Sequence, residues 1–311
     1  WLPCALNSNE WFIRTFVPEA TCDFSEPAQR AFRTYLERQG LGSTENPVPA
    51  PEICQRSGRG EFLDGAEGRL VEAFSLWLNN RVGDIVLNFA KTVKTLCADS
   101  PKVVGFFYGY VNELSFFQNL SQSGHLALRR VLDSEDVDFL CSPCQYRYRR
   151  DEGAFTYSIV LGPIADSGAD RNKLVFSEDD HFPLWAHTTN TDFSPRDEWH
   201  DEMFFRRNFA QALAAGQQIW WYSLGPCWFR DAYRRRIVAG LHRVGREAIE
   251  RDRTSVAEVA IVIDERSVQA MRLNAPFLCR LILDSLAGSF PTGAPVECHE
   301  LHACLDRSDH A

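Results

Sequence analysis

Hydrophobic positions along the 311-residue chain fall into two alternating kinds of segment. Short runs that are apolar almost throughout stand at 2–6, 103–111, 137–141, 173–176 and 219–224. Longer stretches between them carry a helical period. Leu70, Phe74, Trp77, Ile85, Phe89, Val93 and Leu96 form one stripe of a long helix, which must stop before Ser100-Pro101 because proline disfavours a helical predecessor. A helix is also predicted after Ser25, an N-cap residue, carrying Ala28, Phe32, Tyr35 and Leu36 and closed by Gly40. Later helices are expected over 205–215, closed by Gly216, and through Ile237, Leu241, Val244 and Ala248. Strands that are apolar on both faces, each followed by an amphipathic helix, predict a parallel sheet covered by helices. Five such units precede residue 255. Val259–Ile263 then opens a new strand, followed by a helix near 276–286 and a last short run near Val296.

With 45% hydrophobic and 24% charged residues, the chain can bury a core. A formal charge of −9 disfavours a general binder of nucleic acid or anionic membrane. No run of eighteen or more apolar residues is present to span a bilayer. The chain opens Trp1-Leu2-Pro3 without a charged-then-apolar leader, so the compartment is left open. Ten cysteines are scattered rather than dense, and Cys141-Ser142-Pro143-Cys144 is the one close pair. It lacks the second pair that zinc needs and follows an apolar run instead of starting a helix, which points to structural cysteines. The Arg-rich stretch 230–253 is interleaved with Glu247, Glu250 and Asp252, so a solvated helix is expected there.

The ends of the apolar runs carry the specific residues. Asn9-Glu10-Trp11 closes the first run, and 31–36 (Ala-Phe-Arg-Thr-Tyr-Leu) lies on the helix that follows. The segment 137–143 with Tyr146, the segment 173–180 ending Ser177-Glu178-Asp179-Asp180, and the segment 219–225 with Trp220-Trp221 close the later runs. Together these segments resemble glycoside hydrolase family 42, the β-galactosidase-like enzymes built on a (β/α)8 TIM barrel. The resemblance implies an α/β fold in which residues 1–254 supply barrel strands 4 to 8. Residues 255–311 would then open a flavodoxin-like trimerisation domain. It also implies a chain incomplete at both ends, and a homo-oligomer, a trimer, for the complete protein.

Glycoside cleavage passes through an oxocarbenium-like state and needs two carboxyl groups. One protonates the leaving oxygen; in retaining enzymes the other attacks the anomeric carbon from about 5–5.5 Å away. Barrel enzymes carry such groups at the C-terminal ends of strands. Glu10, Glu113 and Glu178 all occupy such positions, and Glu10 and Glu113 each follow an Asn. The resemblance places the acid/base on strand 4 and the nucleophile on strand 7. Counting runs from Glu10 reaches Glu178, whereas residues 13–102 hold no buried run for strands 1 to 3 if Glu113 ended strand 4. Glu10 is therefore expected as acid/base, Glu178 as nucleophile and Glu113 as a substrate-contacting carboxylate. By resemblance Asn9 contacts the sugar hydroxyl next to the anomeric carbon, and Tyr146 donates a hydrogen bond to the nucleophile.

Trp11, Trp220, Trp221 and Trp228 can supply a sugar platform, because an indole stacks on a pyranose while its N–H finds an acceptor. Strand alternation sends Trp220 and Trp221 to opposite faces, and Trp221 is the one expected in the site. His181-Phe182-Pro183 stands where divergent relatives of the family carry an Arg-Thr pair, and Ser223 where an Asp is usual. The resembled family often carries a cysteine-rich zinc loop after the acid/base, whereas only Cys22 lies near Glu10, so no metal is expected, and the implied hydrolase needs no cofactor. The function these features imply is a retaining O-glycoside hydrolase acting on a β-linked carbohydrate, with no nucleic-acid or membrane partner. The competing expectation is a non-catalytic carbohydrate-binding or assembly protein on the same fold.

Overall fold

A computed structural model of the chain describes residues 24–42, 45–56, 60–116, 119–143, 162–185, 195–223, 227–289 and 292–306. The first apolar run with Asn9, Glu10 and Trp11, and Tyr146 with Cys144, lie outside the described residues. The elements up to the third strand are α1 (Glu26–Arg38), α2 (Pro51–Arg56), α3 (Gly65–Leu96), β1 (Gly105–Phe107), α4 (Val111–Phe116), α5 (Leu128–Leu132), β2 (Phe139–Pro143), α6 (Pro163–Asp170) and β3 (Leu174–Asp179). They continue with α7 (Glu198–Ala214), β4 (Gln218–Trp221), α8 (Ala232–Ile249), β5 (Val259–Ile263), α9 (Glu265–Gln269) and α10 (Pro276–Cys279). A π-helical turn, Arg280–Asp284, precedes α11 (Ser285–Ser289), and β6 (Val296–Glu300) and α12 (Leu301–Leu305) close the order. The fold is mixed α/β with parallel strands.

Two compact units divide the chain. The first holds residues up to Val137 together with Asp264–Leu283; the second holds Asp138–Ile263 and the residues from Asp284 onward. Strands β5 and β6 belong with the second unit, and α9 and α10 with the first.

In the first unit α1 starts as expected: the Ser25 hydroxyl accepts from the Ala28 amide, and Gly40 takes a left-handed φ of 68° beyond the helix end. Phe32 and Leu36 are buried against α3, with Phe32 edge-on to Phe74 at 5.3 Å. Each such burial contributes about 1.5–3 kcal/mol. The long helix α3 forms where the period predicts it, but its buried face is offset from the predicted stripe. Val71, Phe74, Ser75, Asn79, Val82, Gly83, Val86 and Ala90 are buried, whereas Ile85 is partly exposed and Leu96 is 80% exposed. Hydrogen bonding and close approach explain the offset. Asn79 donates to the carbonyls of Ser75 and Ser121 and accepts from the Leu126 amide. A Cβ on Gly83 would stand 2.9 Å from the Ala127 Cβ. The run 103–111, expected as one strand, is shorter in the structure: only Gly105–Phe107 is extended, and Val111 begins α4.

In the second unit β2, β3 and β4 lie side by side in chain order and pair in parallel. The register aligns Pro143 with Glu178 and Glu178 with Trp220. Helices α6 and α7 make the crossovers that parallel pairing requires. Ala212 of α7 packs on Ile219, and Phe205, Phe209 and Leu241 of α7 and α8 enclose Trp221. Strands β5 and β6 form a separate parallel pair. Helix α6 docks on β6 through polar contacts: the Cys298 amide donates to Asp166 at 2.6 Å and the Glu300 amide to the Ser167 hydroxyl at 2.8 Å.

Candidate active site

The tips of β2, β3 and β4 assemble the candidate site in the second unit. Side chains alternate along a strand, so Ser177, Asp179, Ile219 and Trp221 share one face while Glu178 and Trp220 share the other. Contacts identify the first as the helix-covered face: Trp221 meets Phe205 of α7 at 6.0 Å and His242 of α8 at 5.3 Å between ring centroids. The opposite face carries Glu178, Trp220, Cys141 and an edge-to-face pair of Phe139 and Phe176. The Trp220 indole N–H donates to Cys141 Sγ at 3.3 Å, which fixes the ring on that face. Glu178 is only 5% exposed at the C-terminal end of its strand.

Behind Glu178, on the helix side, runs a buried chain of alternating charge. His181 Nδ1 lies 2.8 Å from Asp179 Oδ1, which also accepts the His181 backbone N–H at 3.3 Å. His181 Nε2 faces Asp201 Oδ1 of α7 at 3.4 Å. The carboxylate of Asp201 is gripped at both oxygens by Arg234 of α8, whose Nε donates to Oδ2 at 2.8 Å and whose terminal nitrogen donates to Oδ1 at 2.5 Å. This fork-to-fork pairing is the strongest geometry open to the two groups. The Arg234 guanidinium rests over the Phe205 ring at 4.9 Å and is 2% exposed. Burial alone would push the His181 imidazole down, yet the charge and hydrogen bond of Asp179, with help from Asp201, hold it above its ordinary value. Burial pushes Asp201 up, and hydrogen bonds from Arg234 and His181 reverse this and hold it below the usual carboxylate range.

The sequence-predicted residues divide as follows. Glu178 stands at the end of its strand and is buried. The neighbouring acidic residues Asp179 and Asp180 are buried too, so Glu178-Asp179-Asp180 is a desolvated cluster. Trp221 packs against α7 and α8, and Trp220 holds the face that Glu178 occupies. Alternation gives two faces without saying which one the helices cover. Glu113 is buried in the first turn of α4, in the first unit, while Glu178 belongs to the second. Trp228 is 3% exposed and packs on Phe182 at 4.9 Å, a wall of the loop after β4. Asp201 and Arg234 were missed by sequence reasoning. The expectation of a solvated Arg-rich helix fails at Arg234, and the available signal was that it sits three residues after the N-cap Asp231 with apolar neighbours at helical spacing.

Among the described residues no group of three or more His, Cys, Asp or Glu side chains is placed to hold a metal ion. Among the same residues no helix is long and apolar enough to cross a membrane. Cys141 is buried inside β2. No protein-family model matches the chain, and no curated protein matches it.

Proposed function

We propose that the chain is a glycosidase of the (β/α)8 kind, a retaining β-galactosidase-like hydrolase in which Glu178 is the nucleophile. The observation that supports this reading best is the place of Glu178: buried, at the C-terminal tip of a parallel strand, on the face away from the helices and in register with Trp220. Successive parallel strands joined by helical crossovers are the building unit of such a barrel, whose active side is the C-terminal end of the strands. In the proposed mechanism Glu178 attacks the anomeric carbon and the leaving oxygen takes a proton from Glu10. Water then releases the sugar from the glycosyl-enzyme with Glu10 as base. Trp220 offers the ring on which the sugar stacks, taking the part that sequence reasoning gave to Trp221. The resemblance alone implies further substrate contacts from Asn9, Trp11, Glu113 and Tyr146.

The test is hydrolysis of an activated aryl β-galactoside by the wild-type chain and by Glu178→Gln. The reading expects turnover in the first and none in the second. Equal turnover in both removes Glu178 from the mechanism, and sugar binding without turnover in the wild type leaves a carbohydrate-binding protein on this fold.

A further inference from the structure

Resting on that reading, we propose that His181 is a positioning residue for Glu178: as an imidazolium bridging Asp179 and Asp201, it bolts the tip of β3 to α7 and α8 and sets the alkaline limit of activity. Geometry carries the inference. Both ring nitrogens face carboxylate oxygens, Asp179 at 2.8 Å and Asp201 at 3.4 Å. A neutral imidazole can donate from one nitrogen only, so one of these carboxylates would face a lone pair. The ring is further held edge-on against Phe204 and Phe205, with the Phe205 centroid 4.4 Å away. The ionisable groups around it are Asp179 on β3, Asp180 beside it in the chain, Asp201 on α7 and Arg234 on α8.

Charge balance gives the bridge its consequence. With His181 protonated, Asp179, His181, Asp201 and Arg234 alternate in sign and sum to zero. Loss of the proton leaves one uncompensated negative charge buried at the residue next to Glu178. It also removes the attraction that fixes the peptide between Glu178 and Asp179. A like charge raises the proton affinity of a buried carboxylate, and a nucleophile displaced by about 1 Å loses about a hundredfold in rate. The raised proton affinity of His181 agrees with the bridge.

The experiment follows kcat and KM against pH with an aryl β-galactoside in the wild-type chain, His181→Gln and Asp201→Asn. An NMR titration of the His181 imidazole without substrate runs beside it. The wild-type alkaline limb should coincide with the imidazole titration. His181→Gln should lower kcat about a hundredfold with KM little changed, and the part of the limb that follows the imidazole should vanish, leaving only the limb that the general acid imposes. Asp201→Asn should move both limb and imidazole titration to lower pH, because one carboxylate favouring the imidazolium is gone. A limb that ignores the imidazole, or an Asp201→Asn limb that stays in place, overturns the proposal. Should His181→Gln fail to melt cooperatively, Asp201→Asn alone decides. A wild-type chain inactive on every glycoside tried overturns the hydrolase reading and the positioning role with it. Activity with unmoved limbs removes the positioning role alone.

Discussion

Asp201 and Asp166 are both aspartates of the second unit, each on a helix packed against other elements, yet they hold their protons in opposite ways. Asp201 of α7 meets the forked guanidinium of Arg234 and the imidazole of His181, and lies below the usual carboxylate range despite burial. Asp166 of α6 meets a backbone amide of β6. Burial, its largest influence, pushes it up to about 6, with Glu297 and Asp170 adding repulsion against the Cys298 hydrogen bond and His299. His299 stands between Asp170 at 3.2 Å and Glu297 at 3.0 Å, so this region gathers three carboxylates around one imidazole. The lesson is that desolvation acts alike on both aspartates, and the count of full positive charges within reach decides the outcome.

The largest effect expected from breaking this contrast is at Arg234. Arg234→Met should destabilise the second unit by about 3–5 kcal/mol, since it strands a buried carboxylate. Urea unfolding measures this, and a loss below 1 kcal/mol would show that Asp201 is solvated in solution. The pH dependence of the Asp201 contribution has the sign of a depressed acid. It is present above the ordinary carboxylate value and is lost as pH falls through the lower folded value.

Asp166 has the reverse sign. Its raised folded value means that the folded state binds the proton more tightly, so stability falls as pH rises from about 4 to about 6. Asp166→Asn should therefore stabilise the chain by about 1–3 kcal/mol above pH 7 and change little near pH 4. Thermal melts at the two pH values compare them directly, and a variant less stable than wild type above pH 7 would contradict the desolvated carboxylate. The smallest effect should come from Ser167→Ala beside it, which removes a neutral hydrogen bond to the Glu300 amide. A loss of about 1 kcal/mol, the same at both pH values, is expected. A pH-dependent loss would mean that Ser167 couples to Asp166.

What the sequence made legible, and what it hid, follows the range of the interactions involved. Local patterns placed β2 to β6, the capped start of α1, the length of α3 and the strand-tip position of Glu178. Each of these depends on residues within a few positions of one another. The buried face of α3 was hidden because Asn79 and Gly83 earn their places from Ser121, Leu126 and Ala127, more than forty positions away. The bridge behind Glu178 was hidden for the same reason: 179, 181, 201 and 234 meet only after the α7 crossover and the entry into α8. His181 was noticed only as a departure from a resembled pattern, and Arg234 only as one arginine of many. The choice between Trp220 and Trp221 needed the side on which α7 and α8 pack.

The most direct test of the proposed chemistry is mass mapping of the wild-type chain after incubation with an activated 2-deoxy-2-fluoro-β-galactoside, which slows release of the covalent sugar. The account predicts a single fluorosugar adduct on the peptide containing Glu178, absent in Glu178→Gln. An adduct on a different carboxylate, or none from a chain that turns over the parent glycoside, would contradict it.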